Sequence, residues 1–256
     1  MKDKKIVMLA GSGVSSNIIF HAINKRFPVH SIIMEGSENK RKFLKRRLKK
    51  LGIITVSGQI LFQAIIIKML RKFSAKRIEV ILKENSLNTD EPPLHTVKRV
   101  SSINTNDVKD MLQTIQPDVV IVNGTRIISK KILSSVNCPF INTHAGITPK
   151  YRGVHGGYWA LVNEDKINCG VTVHLVDEGI DTGSILYQDT IEISEKDNFI
   201  TYPYLQIAKA IPMLQKAIED ALQNKVITIK GKEISKLWYH PTIWQYIYYR
   251  LFKKVK

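Results

Sequence analysis

The sequence predicts an α/β fold: an open, mostly parallel, twisted sheet with helices on both faces and a short C-terminal appendage. Three observations predict it. Short apolar runs, Lys5 to Ala10, Val29 to Met34 and Val119 to Val122, alternate with stretches of helical periodicity. Val119 to Val122 is apolar without alternation, as expected of a strand buried on both faces. Polar residues able to do chemistry stand where such runs stop, and in parallel sheets ligands gather at the carboxyl ends of the strands.

The first run ends in Gly11-Ser12-Gly13, and helical spacing follows from about Ser15 to Lys25. Ser15, Ser16 and Asn17 therefore stand at a helix N-terminus, where free N–H groups and the helix dipole favour an anion. The turn is neither a full Gly-x-Gly-x-x-Gly fingerprint nor a Walker loop. Lys40 to Lys50 carries eight basic residues around Phe43, Leu44, Leu48 and Leu51, which reads as a solvated helix. Ile53 to Phe73 continues as an apolar helix, with Lys68, Arg71 and Lys72 suited to its C-terminus.

Asn85 to Pro93 is loop-like, and Thr96 to Val100 resembles a short strand. Asp107 to Ile115 reads as a helix capped by Asn106, and Ser129 to Ser135 as another. Phe140 and Ile141 end a buried strand. Cys169 to Gln188 reads as strand, Gly-containing turn and returning strand. Ile200 to Asn224 is helical, with Leu205, Ala208, Ile211 and Leu214 facing inward. Val226 to Lys230 and Glu233 to Leu237 suggest a hairpin about Lys230-Gly231-Lys232, before an aromatic, basic tail. The expected division is a domain over residues 1–223 and an appendage over 224–256.

At 256 residues, with 44% hydrophobic and 24% charged residues, the chain can bury a sizeable core, which argues against global disorder. A net charge of +17 points to anionic surroundings: phosphorylated substrates, nucleic acid or an acidic membrane face. Cys138 and Cys169 read as small buried residues. The apolar run at the N-terminus is too short for a secretory core. Ile60 to Leu70, interrupted by Gln63 and Lys68, falls short of the ~20 residues of a membrane span. A cytoplasmic location is the expectation.

The chemistry-bearing residues lie between Pro139 and Gln188. Asn142 and His144 are two apart in an extended chain, so an amide and an imidazole face one volume. Asp181 sits in the later turn. The pattern Asn142-Thr-His144, then Pro149-x-Tyr-Arg-Gly153, then Thr172-Val-His-Leu-Val-Asp-Glu-Gly-Ile-Asp181-Thr-Gly resembles the core of the formyltransferases that use 10-formyltetrahydrofolate. The resemblance covers Val119 to Gln188, and Lys5 to Asn17 less fully. It includes enzymes acting on glycinamide ribonucleotide, methionyl-tRNA and nucleotide-linked amino sugars.

An amine attacking a formyl carbon generates an oxyanion and a positive nitrogen, so such a site needs a donor and a proton acceptor. Asn142 suits the donor. His144 suits oxyanion stabilisation when protonated and proton transfer when neutral. The resemblance implies that Asp181 orients His144 and accepts the proton. It also implies that Gly124, Arg126, Ile127 and Ile128, facing Val176, Asp177, Glu178 and Gly179, hold the folate. The first of these loops is about a residue shorter than in the glycinamide enzyme. Ser16-Asn17 resembles that enzyme's phosphate loop, with Ser15 where its glycine stands. Ser15, Ser16, Asn17, Tyr151, Arg152, Gly153 and His155 are the expected acceptor-binding residues. His174 reads as a hydrogen-bonded core histidine, and scattered histidines argue against a metal.

The expected activity is formyl transfer from 10-formyltetrahydrofolate to a primary amine of a small, phosphate-bearing acceptor. A nucleotide-linked amino sugar is preferred, then glycinamide ribonucleotide. Methionyl-tRNA ranks lower, because the residues after Asn224 are too few for the second domain of those enzymes. Formyltetrahydrofolate hydrolysis is disfavoured for want of the regulatory domain. The alternative of another class is a basic module that binds nucleic acid or anionic lipid. Peripheral membrane contact and a homodimer through the aromatic tail are further expectations.

Overall fold

The structure is a computed structural model that describes residues 4–231 and 233–256. Seven strands form the main sheet in the order β3-β2-β1-β4-β5-β7-β8. These are β1 (Ile6–Gly11), β2 (Val29–Glu35), β3 (Val97–Val100), β4 (Val119–Asn123), β5 (Phe140–His144), β7 (Gly170–Leu175) and β8 (Ile185–Thr190). The first five in that order are parallel; β7 runs antiparallel to β5, and β8 antiparallel to β7. Successive residues of β1 serve opposite faces. Ile6, Met8 and Ala10 pack with α1 (Val14–Asn24) and α8 (Tyr202–Leu222). Val7 and Leu9 pack with α5 (Asn106–Ile115) and α6 (Lys130–Leu133). With both faces covered, alternation would leave polar groups in the core, which is why the central strands β1 and β4 are almost continuously apolar.

A third cluster is largely aromatic. Tyr158 and Trp159 of α7 (Gly156–Val162), Phe199, and Tyr246 of α9 (Ile243–Phe252) enclose Phe62, Ile66 and Ile67. Each such side chain removed from water stabilises by about 1.5–3 kcal/mol. Those three residues lie in or beside a π turn (Phe62–Ile67) joining α3 (Ile53–Leu61) to α4 (Lys68–Glu84). The whole runs on as one helix, Ile53–Glu84, of 32 residues. It extends past the Phe73 end expected from sequence, so Lys68, Arg71 and Lys72 lie within it. Residues 74–84 carry no Gly or Pro to end it, and Arg77 anchors this part on the buried Asp197 with Nε–Oδ1 at 2.8 Å and Nη2–Oδ2 at 3.1 Å. By length and composition this helix could cross a membrane, which corrects the expectation drawn from Ile60 to Leu70. It is packed on the protein along one side.

Other boundaries also differ. The basic helix α2 (Lys40–Leu51) buries no residue and is capped by Asn39, whose side chain accepts from the Arg41 and Lys42 N–H groups. Thr105, not Asn106, is the cap residue of α5, and α6 is only four residues long. The core stripe of α8 is Tyr202, Gln206, Ala210, Leu214, Ala217, Ile218 and Ala221. Leu205, Ala208 and Ile211 are only half-buried, because Gln206 turns inward to donate to the Gly170 carbonyl at 2.6 Å. The expected hairpin is replaced. Ile229 bridges to Ile185, while β9 (Leu237–Trp238) pairs in parallel with β6 (Arg152–Gly153). Lys232, at its expected turn, lies outside the described residues.

Candidate active site

At the carboxyl ends of β4 and β5 lies a cleft of about 350 Å³ lined by Asn142, His144, His174 and Asp181. The antiparallel register of β5 and β7 sets Asn142 opposite His174 and His144 opposite Thr172. His174 Nδ1 lies 2.7 Å from the Leu175 carbonyl and must donate to it, which leaves Nε2 as an acceptor. The Asn142 amide nitrogen, 3.1 Å from that Nε2, therefore donates to it. Its second N–H has no partner among the described residues and is available to a ligand.

His144 is held by the segment after it. Its Nε2 is 2.6 Å from the Tyr151 carbonyl, so Nε2 carries the proton and Nδ1 offers a lone pair. Asp181 Oδ2 stands 3.3 Å from that Nδ1 and accepts the Gly153 N–H at 2.9 Å. Arg152 donates to the Ile180 carbonyl at 2.8 Å and fixes the loop. Asp181 itself has a φ of 51°, left-handed and uncommon for a residue with a side chain. Gly146 makes room for this arrangement. A Cβ there would lie 2.4 Å from the Tyr151 oxygen and 2.8 Å from His144 Nε2.

Burial pushes the His144 pKa below its ordinary value, against the pull of Asp181. Burial also pushes the Asp181 carboxyl up. Positive charge on His174 or His144 when either ring is protonated, together with the Gly153 N–H, outweighs it, so the group stays below the usual carboxylate range. The resting pair is a neutral imidazole facing a carboxylate. Two acceptors face each other, and the gap between them is one proton short.

The two walls of the cleft include Gly124, Arg126, Ile127, Ile128, Val176, Asp177 and Gly179. Glu178 does not line it and pairs with Lys130 on the surface at 3.6 Å. Arg126 reaches back to Glu35 at 3.2 Å and to the Gly36 and Ser101 carbonyls, so its side chain braces the wall. Asp177 closes the opposite turn by accepting from Gly179 N–H and Thr182 Oγ1. The donors and apolar groups left in these walls are mainly backbone and isoleucine, which fit a flat, amide-bearing ring.

The expected acceptor residues divide. Tyr151 is buried, with its hydroxyl on Asp165 at 2.8 Å, so its segment positions His144 and Asp181 and does not itself present a binding side chain. Ser16 is also buried and donates to the Gly11 carbonyl at 2.7 Å; the Asn17 amide holds the Thr89 carbonyl. The backbone N–H groups of Ser16 and Asn17, on which the anion-site expectation rested, both donate to the Gly13 carbonyl, at 3.1 and 3.3 Å. Ser15 and His155 line a second pocket of about 360 Å³ with Gln63, Arg71, Phe199, Tyr204 and His240. Asn123 links the two spaces, with its amide nitrogen 3.1 Å from Ser15 Oγ and its oxygen 3.5 Å from Thr143 Oγ1. Gln63, Arg71 and His240 escaped the sequence reading because they come from segments far apart in the chain. His174 was legible only as a core residue, although its two-residue spacing from Thr172 placed it on the site face.

A mostly parallel sheet covered on both faces, with a polar cleft at the carboxyl ends of its strands, is a Rossmann-like α/β architecture. A family model described as formyl transferase matches residues 54–204, more than half of the chain. The chain belongs to that family. A methionyl-tRNA formyltransferase of Nitratiruptor sp. is 43% identical over 102 residues, 40% of this chain and 33% of the relative. A bifunctional polymyxin resistance protein of Wigglesworthia glossinidia brevipalpis is 33% identical over 140 residues, 54% of this chain and 21% of that one. The matches thus span a third or less of these relatives' lengths. An N-formyltransferase from Helicobacter canadensis, solved with folinic acid and dTDP-3-aminofucose, superposes with a TM-score of 0.56 at 17% identity, covering 91% of this chain and 70% of that one. Glycinamide ribonucleotide transformylase 1 from Symbiobacterium toebii gives 0.56 at 17% identity, covering 92% and 95%. At such identities the likeness is one of fold.

Proposed function

We propose that the chain transfers a formyl group from 10-formyltetrahydrofolate, held in the cleft, to a primary amine of an acceptor reaching in from the second pocket. The observation that carries this reading is the 3.3 Å approach of His144 Nδ1 to Asp181 Oδ2 beside the Asn142 amide, held 3.1 Å from His174 Nε2. The bound folate supplies the formyl carbon. As the amine attacks, the Asn142 N–H donates to the oxygen on which charge develops. The His144–Asp181 pair takes up the proton that the amine nitrogen loses, directly or through a water, and returns it to the folate nitrogen as the bond between that nitrogen and the formyl carbon breaks. His174 keeps the Asn142 amide aimed, and the Tyr151 carbonyl keeps Nδ1 as the accepting atom.

Our preferred acceptor is a nucleotide-linked amino sugar. The second pocket offers aromatic and apolar surface from Phe199, Tyr204 and Ile207 for a base or sugar, with the Arg71 guanidinium for a phosphate. The Helicobacter canadensis enzyme, solved with such a compound, supports the same choice. Methionyl-tRNA is the second reading, favoured by the 43% identity to the Nitratiruptor enzyme. The test is a formyl-transfer assay with 10-formyltetrahydrofolate and a panel: nucleotide-linked amino sugars, glycinamide ribonucleotide and methionyl-tRNA. Turnover with a sugar nucleotide alone is the expected result. Turnover with another member alone replaces the acceptor, and turnover with none removes the activity.

A further inference from the structure

The positive charge of this chain is concentrated. From Lys40 to Ile78 there are thirteen Lys and Arg and no Asp or Glu, and from Ile234 to Lys256 five more and again no acid. Of the 39 basic residues, eighteen lie in these two segments, leaving 21 against 22 acidic residues elsewhere. Outside them the chain is nearly neutral.

The same segments expose apolar side chains in an ordered way. Leu61, Ile65, Met69 and Phe73 recur every fourth residue along the outward side of the Ile53–Glu84 helix, Phe73 being 78% exposed. A groove of about 470 Å³ joins Met69 and Phe73 to Ile247 and Leu251 of α9. Another, of about 550 Å³, joins Ile60 to Phe43 and Leu44 of α2. Lys68 and Lys72 interrupt the stripe, α2 flanks one end, and Arg250 and Lys256 border the other groove. A contiguous apolar surface of this kind marks an interaction site, and its basic surround specifies an anionic partner. The combination of apolar face and Lys/Arg rim is that of helices lying in a membrane interface.

We propose that α2, the Ile53–Glu84 helix and α9 form one face that docks onto an anionic lipid bilayer. The helix lies in the interface plane and does not cross it, because Phe62, Ile66, Ser74 and Ile81 on its other side are packed into the protein. Gln63 and Arg71 of the same helix line the second pocket, so docking sets one wall of that pocket at the lipid surface.

The test is co-sedimentation of the full chain with vesicles of phosphatidylcholine alone and of phosphatidylcholine with phosphatidylglycerol. Partition at least ~10-fold stronger onto the anionic vesicles, weakened by added salt, is expected. Each Lys or Arg at an anionic surface strengthens binding roughly fivefold, so Lys42→Glu with Lys49→Glu should weaken partition at least ~25-fold. Phe73→Asp with Leu251→Asp should weaken it at least ~10-fold with unchanged circular dichroism and thermal midpoint. No partition, equal partition onto both vesicles, or partition indifferent to Phe73→Asp with Leu251→Asp overturns the proposal. So does retention on an RNA oligonucleotide without vesicle binding. A stable dimer in light scattering that the Asp variants split, with vesicle binding absent, would assign the face to a second copy.

Discussion

The Tyr151 carbonyl oxygen lies 2.6 Å from His144 Nε2, and that contact decides which nitrogen of the imidazole faces Asp181. A histidine two residues from an asparagine in a strand could present either nitrogen to the cleft. Here seven residues of following chain return to claim one of them.

Asp181→Asn should lower kcat by roughly 10²- to 10⁴-fold while leaving binding of a folate analogue largely unchanged. The substituted amide can donate to His144 Nδ1 and occupy the lone pair that awaits the proton. Steady-state kinetics with equilibrium binding of folinic acid checks it; an unaltered kcat refutes the role.

His174→Phe keeps an aromatic ring in the core but removes the acceptor that aims the Asn142 amide, 3.1 Å away. Loss of one oriented oxyanion donor costs about 10²- to 10³-fold in kcat. KM should move little. A change confined to KM would place Asn142 in substrate binding instead.

Gly146→Ala places a methyl group 2.8 Å from His144 Nε2 and 2.4 Å from the Tyr151 oxygen, so the bond between them must open. A stability loss of about 1–3 kcal/mol and a fall in kcat should appear together. Wild-type activity and an unchanged denaturation midpoint would show that the contact is dispensable.

Arg77→Leu leaves the buried Asp197 carboxylate without its bidentate partner, which costs on the order of 3–5 kcal/mol. The Ser194 and Thr201 hydroxyls that also reach Asp197 moderate the loss. Urea denaturation measures it, and a change below ~1 kcal/mol would mean that the salt bridge contributes little to anchoring α4.

Stability should fall as pH drops from neutrality. Burial lowers the pKa of His144, of His155 (with His240 adding) and of His240 (with Arg47 adding), the last to about 4. The unfolded chain takes up protons near pH 6.5 that the folded chain refuses, so folding loses free energy below that value. For His240 the window runs from 6.5 to about 4 and is worth about 3 kcal/mol. Asp181, held below the carboxylate range, adds a loss at still lower pH. Thermal midpoints between neutrality and pH 4 check the sign, and a flat or rising curve contradicts it.

The α/β layout was legible in the order of residues because the central strands β1 and β4 are almost continuously apolar and the breaks after them carry glycine. Asn142, His144 and Asp181 were legible as chemistry because an amide, an imidazole and a turn carboxylate recur in a recognisable order. What sequence could not reveal is which atoms are left free. Tyr151 and Gly153 read as ligand contacts, yet their backbone groups are committed to His144 and Asp181. Ser16 read as part of an anion-binding helix N-terminus, yet its N–H donates to the Gly13 carbonyl and its hydroxyl to the Gly11 carbonyl. Local periodicity sets elements and alternation sets faces, because both act over a few residues. Hydrogen-bond assignment and burial are settled by partners distant in the chain, and those only the tertiary structure brings together.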